Sequence, residues 1–170
     1  GLLELDVPLI LDADALNCLA KIAIDGIDSN PEMYRREQPL VMTPHYRELS
    51  RLVAGDEVND LGTAIAAAQK VVWAAGSDNL VVIAKGPTTA ICGVERVLLP
   101  LSGPASLATA GSGDVLAGIL AGTLATMRDE MDRWELLYSY AVALHSYAGF
   151  AAATEYGDTP AARRRGTWEH

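Results

Sequence analysis

Short apolar runs recur along the chain, separated by polar or helical segments. Five of these runs have the length and composition of strands: residues 7–11, 40–43, 80–84, 88–92 and 96–99. The first three are almost continuously hydrophobic, which is typical of parallel strands buried on both faces. The last two lie on either side of Gly93, so we predict that they form a hairpin.

Helical periodicity fills most of the remaining sequence. Apolar residues three or four positions apart predict helices over residues 13–23, 46–53, 58–75 and 134–156, and after Asp114. The helix over 134–156 is apolar on most faces and is expected to be buried. Residues 29–38 are polar and contain Pro31, so they are predicted to form a loop. Strands alternating with helices predict an α/β fold with a mostly parallel sheet covered on both faces.

Polar residues follow several of the predicted strands, at the edge where ligands bind in open α/β sheets. Asp12 and Asp14 can position Mg²⁺ through water or cap the next helix. Lys85 can meet a phosphate as a point charge or belong to an ordinary surface turn. His45 can hydrogen-bond a polar ligand, and Glu48 suits the start of a helix with no ligand role.

A small-residue turn, Ala-Gly-Ser-Gly at 110–113, precedes Asp114 and an apolar helix. Glycines let the backbone turn sharply and leave its N–H groups uncovered, and the helix start adds donors and a positive dipole end. The pattern predicts a phosphate site. Asp114 is then either a base that takes a proton from a hydroxyl during phosphoryl transfer or a helix cap, and the residues alone leave both open.

Composition and missing motifs narrow the function classes. The 170-residue chain is 50% hydrophobic, which suits one globular domain, and its net charge of -9 argues against nucleic acid or an anionic membrane as partner. No signal peptide or membrane span is expected. There is no P-loop motif, and Gly118 comes too late for a dinucleotide-binding G-x-G-x-x-G. Cys18 and Cys92 suggest buried thiols in a reducing, cytoplasmic environment, with no protein metal site.

Taken together, several segments resemble one family. They are LDADALN at 11–17, TPHYRE at 43–48, AKGPTTAI at 84–91, LATAGSGDVLAG at 107–118 and AVALHSYAGFAA at 141–152. Their order and approximate spacing resemble the ADP/ATP-dependent NAD(P)H-hydrate dehydratases of the ribokinase-like superfamily. The resemblance implies a three-layer α/β/α sandwich with a mostly parallel sheet, present here as a partial fold. Residues 1–158 would be the C-terminal part of that domain and residues 159–170 a tail.

The resemblance also implies an activity and roles for particular residues. Such enzymes repair the S epimer of hydrated NADH or NADPH: ADP or ATP, with Mg²⁺, phosphorylates the hydroxyl, and loss of the phosphate restores the double bond. His45 and Asp114 would contact the hydrate, with Asp114 as the catalytic base. Gly111, Ser112 and Gly113 would form the anion hole. The nucleotide would contact Lys85, Gly86, Pro87, Thr88, Thr89 and Gly113.

Two departures and several alternatives accompany this interpretation. Tyr46 and Arg47 replace the proline and glycine that usually follow the histidine, and the turn reads AGSGD where GGTGD is common. The family's N-terminal half is not in the sequence, so part of the hydrate pocket is expected to be missing and the isolated fragment to be inactive. A homo-oligomer is expected, with an epimerase domain or the N-terminal half as further partners. The alternatives are another ribokinase-like kinase, for a vitamin precursor, and a non-catalytic nucleotide-binding module.

Overall fold

Five strands and five helices are formed by the residues that the computed structural model describes, which are 2–22, 34–126 and 134–156. The chain divides into two compact units, Gly1–Leu99 and Pro100–His170. The strands are β1 (Leu9–Leu11), β2 (Leu40–Met42), β3 (Leu80–Ala84), β4 (Ala90–Cys92) and β5 (Val97–Leu98). The helices are α1 (Asp14–Ile22), α2 (Tyr46–Leu52), α3 (Leu61–Ala75), α4 (Ser112–Thr126) and α5 (Trp134–Tyr156).

The first unit contains one sheet with the strand order β1-β2-β3-β4-β5. The pairs β1–β2 and β2–β3 are parallel, as the continuous apolar runs predicted. The predicted hairpin is confirmed: β4 and β5 are antiparallel, and the N–H of Gly93 donates to the carbonyl of Arg96 at 2.9 Å. Because β4 also runs antiparallel to β3, the sheet is mixed.

Both faces of the central strands are buried, which explains their unbroken hydrophobicity. Every residue of β2, β3 and β4 is buried. Side chains on one face, such as Leu40 and Val82, join a core with residues of α1, α2 and α3. Those on the opposite face, such as Val41 and Ile83, are no more than 2% exposed. Burying each large aliphatic side chain contributes about 1.5–3 kcal/mol, which favours this strand register.

Caps fix where α2 and α3 begin. The side chain of Asp60 accepts a hydrogen bond from the N–H of Thr63, and the hydroxyl oxygen of Thr63 accepts one from the N–H of Asp60. This reciprocal cap starts α3 at Leu61 and not at residue 58, because Asp60 is held in extended backbone. The residue that follows the helix is Gly76, which caps it with a φ of 56°, in the left-handed region that glycine adopts most easily.

The second unit contains α4, α5 and a 3-10 turn at Ala105–Leu107. The predicted helix over 134–156 is confirmed, but the expectation that it would be buried on most faces is wrong. Residues such as Leu137 and Ala141 are buried, whereas a stripe of apolar side chains is 40–70% exposed: Leu136, Tyr140, Leu144, Tyr147 and Phe150. Helical periodicity finds the helix but does not decide which apolar face is covered.

Some predictions fall outside the described residues: part of the loop over 29–38, the tail over 159–170, and the domain boundary after residue 158. Cys92 is buried as expected, but the same expectation for Cys18 is wrong, because this thiol is exposed on α1. Across the described ranges, none of the helices is sufficiently long and hydrophobic to span a membrane.

Candidate active site

The carboxyl ends of β1, β2 and β3 meet at one edge of the sheet, as the sequence predicted. The N–H of Thr43 donates to the carbonyl of Leu11 at 3.0 Å, and that of Lys85 donates to Pro44 at 2.7 Å. His45 and Lys85 form a parallel bridge just beyond the strands. These main-chain bonds bring two of the predicted site residues, His45 and Lys85, side by side.

Lys85 does not extend into solvent. Its Nζ lies 2.6 Å from Oδ1 of Asp12, and the two side chains are 22% and 15% exposed. The Asp12 carboxylate is therefore committed to an ammonium group, and it neither caps α1 nor joins a metal cluster among the described residues. Ala13, between Asp12 and Asp14, has a φ of 47°, a conformation that a non-glycine residue rarely adopts and that costs conformational energy. Asp14 lies exposed in the first turn of α1.

His45 is the N-cap of α2. The N–H of Glu48 donates to Nδ1 of His45 at 3.2 Å, and the N–H of His45 donates to Oε2 of Glu48 at 2.9 Å. Since Nδ1 accepts, the neutral ring carries its proton on Nε2, which lies 3.4 Å from Oε1 of Glu48. Burial lowers the pKa of His45 below its ordinary value, the Glu48 carboxylate opposes that shift, and the Lys85 ammonium adds to it. The predicted role of Glu48 as a helix-start acid is confirmed.

Tyr46 lies against the turn that follows β3. A Cβ added at Gly86 would come 2.5 Å from Cζ of the Tyr46 ring, so a larger residue at this position would displace that ring. Burial raises the pKa of the Tyr46 phenol above its ordinary value. Gly86 and Pro87 are exposed and Thr88 and Thr89 are half-buried. The turn predicted to contact the nucleotide is thus exposed on one side and covered by an aromatic ring on the other.

The glycine turn before α4 presents main-chain donors. Gly111 has a φ of 86°, which accounts for glycine there. The N–H of Ser112 donates to Thr109 at 3.2 Å and that of Val115 to Gly111 at 3.1 Å. Within the described part of the chain, the N–H groups of Gly113 and Asp114 have no main-chain acceptor. Of the three residues predicted to form the anion hole, Ser112 thus has an N–H that already donates to the main chain, whereas the N–H of Gly113 does not. The N–H of Asp114 is one of the helix-start donors that the sequence predicted.

Asp114 lies within the first turn of α4 and is exposed. The helix starts at Ser112, so Asp114 comes too late in the helix to be its N-cap. An exposed carboxylate beside two N–H groups that have no main-chain acceptor in the described part of the chain is able to accept a proton next to a bound anion.

His145, on α5, contacts the glycine turn. Its Nε2 lies 3.1 Å from Oγ and 3.0 Å from the carbonyl oxygen of Ser112. Sequence reasoning missed this contact and the ion pair of Lys85 with Asp12, because their partners are 33 and 73 residues apart. The only signal in the sequence was that each of the four residues falls within a segment that carries the family resemblance.

In the described part of the second unit, the N–H groups of Gly113 and Asp114 that have no main-chain acceptor fit a phosphate. In the first unit, Lys85 supplies a cation of the kind that also suits a phosphate. No group of three or more His, Cys, Asp or Glu that could hold a metal ion occurs among the described residues. A cavity of about 890 Å³ lies between residues 3–6, α1 and residues 35–38, and of the candidate ligand residues named from the sequence its described lining includes Asp14.

A family model described as NAD(P)H-hydrate dehydratase matches residues 2–164. The chain belongs to the NAD(P)H-hydrate dehydratase family. A bifunctional NAD(P)H-hydrate repair enzyme of Synechocystis is 36% identical over 90% of this chain and 27% of its own length. The ADP-dependent (S)-NAD(P)H-hydrate dehydratase of Neisseria meningitidis is 36% identical over 71% of this chain and 38% of its own length.

A solved structure supports the same family. The ADP/ATP-dependent NAD(P)H-hydrate dehydratase of Bacillus subtilis, co-crystallised with ATP and Mg²⁺, has a TM-score of 0.70 and 28% identity, covering 96% of this chain and 54% of that one. The likeness confirms the expected ribokinase-like α/β/α fold class. This member of the NAD(P)H-hydrate dehydratase family spans 27% and 38% of the lengths of these two curated relatives and 54% of the solved structure.

Proposed function

We propose that the protein dehydrates the S epimer of hydrated NADH and NADPH, with ADP or ATP as phosphoryl donor. The observation that carries the proposal is the start of α4, where the exposed Asp114 carboxylate adjoins the N–H groups of Gly113 and Asp114, which have no main-chain acceptor among the residues that the structure describes. Support also comes from the relatives, whose names specify NAD(P)H hydrate, the S epimer and an ADP/ATP requirement.

In the proposed reaction, Asp114 acts as general base. Its carboxylate takes the proton of the hydrate hydroxyl while the hydroxyl oxygen forms a bond to the terminal phosphorus of the nucleotide and the bridging P–O bond breaks. Negative charge develops on the moving phosphoryl oxygens, and the N–H donors at the start of α4 stabilise that charge. Elimination then breaks the C–O bond, a proton leaves the neighbouring carbon, and the double bond forms as inorganic phosphate departs.

The first unit would contribute to binding. Lys85 and the turn through Gly86, Pro87, Thr88 and Thr89 are proposed to contact the nucleotide, since the turn is accessible and its lysine is held in place by Asp12. His45 is proposed to contact the hydrate. Its Nδ1 accepts from the N–H of Glu48, so Nε2–H, which lies 3.4 Å from Oε1 of Glu48, is the donor of the neutral ring. When bound with the nucleotide, Mg²⁺ supplies charge neutralisation on the phosphates.

The test is an Asp114→Asn variant in the full-length protein. With hydrated NADH, ADP and Mg²⁺, we expect recovery of NADH to fall by roughly 10²–10⁴-fold, the contribution typical of a positioned base, while ADP binding is retained. Asp14→Asn is the matched control, because Asp14 is also an exposed carboxylate in the first turn of a helix. Near-normal turnover by Asp114→Asn would reject the base. Accumulation of a phosphorylated product without NADH would favour the vitamin-precursor kinase alternative.

The wider setting also belongs to the proposal. The proposed partners are a further domain with epimerase activity and an N-terminal half of this domain. The protein is also proposed to form a homo-oligomer and to act in the cytoplasm. The bifunctional relatives support a second activity, because they are far longer than the segment matched here. Mass measurement of the intact protein by light scattering would decide its oligomeric state.

A further inference from the structure

Helix α5 contacts the segment that precedes α4, residues 101–111, and the first residue of α4. The hydroxyl of Ser146 donates to the carbonyl of Leu101 at 3.0 Å. Leu107 packs against Gly149, where an added Cβ would come 2.6 Å from Cγ of Leu107, so α5 approaches the segment closely there. A third contact joins His145 to Ser112, the first residue of α4. One rigid helix therefore positions the chain that leads into the glycine turn.

The His145 contact has a defined direction. Nε2 lies 3.0 Å from the carbonyl oxygen of Ser112, and a carbonyl oxygen can only accept. A hydrogen bond to that oxygen therefore requires the ring form that carries a hydrogen on Nε2. The Ser112 hydroxyl oxygen, 3.1 Å away, lies within reach of the same N–H.

The orientation of one peptide plane links this bond to the anion site. The carbonyl of Ser112 and the N–H of Gly113 belong to the same planar trans unit and point in opposite directions. Holding the carbonyl fixes the direction of the Gly113 N–H, one of the two N–H groups without a main-chain acceptor in the described part of the turn. His145 also withdraws charge from that peptide, which strengthens the N–H as a donor.

We propose that His145 is a positioning residue for phosphoryl transfer, orienting the Gly113 N–H toward the transferred group through the Ser112 carbonyl. This proposal rests on the proposed function, because it assigns the support of the same anion hole. His145 is not proposed as a catalytic residue, because it would act through the Ser112 carbonyl and not on the reacting atoms. Its effect should appear in the transition state, when charge on the phosphoryl oxygens is largest, more than in nucleotide binding.

The test compares His145→Leu with His145→Gln in the full-length enzyme. Leucine removes the donor, and we expect kcat to fall about ten- to a hundredfold with the KM for ADP changed less than threefold, the range that small misplacement of a catalytic group produces. Glutamine can place an amide N–H at a similar distance, so it should restore kcat to within about fivefold of the wild type. Thr154→Ala, which removes another α5 hydrogen bond at a site remote from the turn, is the control and should leave kcat unchanged.

Unchanged kcat in His145→Leu, or equal losses in the leucine and glutamine variants, would overturn the proposal. The wild-type protein offers a second measurement that does not require a variant to fold: long-range ¹⁵N–¹H correlation spectra must show a proton on Nε2 of His145, and an unprotonated Nε2 would equally overturn it. Asp114→Asn keeps the two proposals distinguishable. If that variant is inactive and His145→Leu is normal, only the positioning role fails; if Asp114→Asn is active, the catalytic assignment fails.

Discussion

The ion pair of Asp12 with Lys85 can be compared with a second Asp–Lys pair in the same unit that is more exposed. Lys70 and Asp56 are joined at 3.2 Å, with side chains 44% and 64% exposed, whereas Lys85 and Asp12 are 22% and 15% exposed. Exposed pairs are worth about 0–1 kcal/mol because water and salt screen them, and removing one partner of a buried pair costs about 3–5 kcal/mol. The two pairs should therefore respond differently to the same substitution.

We predict that Asp12→Asn lowers the free energy of unfolding by an amount between those two limits, and that Asp56→Asn lowers it by less than about 1 kcal/mol. Urea unfolding of both variants measures the difference. Lys85→Met and the double variant complete a cycle that isolates the pair. Equal losses for Asp12→Asn and Asp56→Asn would show that burial does not strengthen the first pair.

At the scale of elements, the capping box of α2 makes helix stability sensitive to pH. Nδ1 of His45 accepts from Glu48 only when it is unprotonated, and burial lowers the His45 pKa. The charged groups around the ring act in both directions, since Lys85 and Arg51 lower that pKa and Glu48 and Asp12 raise it. A lowered pKa in the folded state means that the contribution is present above the unfolded value of about 6.5 and is lost as pH falls from there toward the folded pKa.

The corresponding prediction uses His45→Asn, which keeps an N-cap acceptor but does not titrate. Between pH 7.5 and about 5.5, the melting temperature of the wild type should fall relative to that of the variant. Thermal melts at several pH values give this difference, which cancels the titration of every other group. A difference that stays constant over the range would contradict the role of the ring as a titrating cap.

Most elements could be predicted from the sequence because their causes are local. Apolar runs and helical periodicity depend on neighbouring residues, and the strand over 80–84 is reproduced without change as β3. The sequence also located the strand ends of the first unit and the glycine turn of the second unit, where the candidate residues lie. What distinguishes Lys85, Tyr46 and His145 is a contact with a distant residue, and the apolar pattern does not specify such pairs. The exposed stripe of α5 escaped prediction because burial depends on what packs against a helix.

For the whole molecule, ligand binding gives a prediction that needs no turnover. Any nucleotide that binds the folded state alone stabilises it by RT ln(1 + [L]/Kd), about 2.7 kcal/mol at a hundred times Kd. We expect saturating ADP to raise the melting temperature of the full-length protein and Lys85→Met to remove most of that rise, since its ammonium is the proposed phosphate partner in the first unit. Lys70→Met is the control, because Lys70 pairs with Asp56 on an exposed surface. An equal ADP-dependent rise in both variants would remove Lys85 from the nucleotide site, and no rise in the wild type would reject that site altogether.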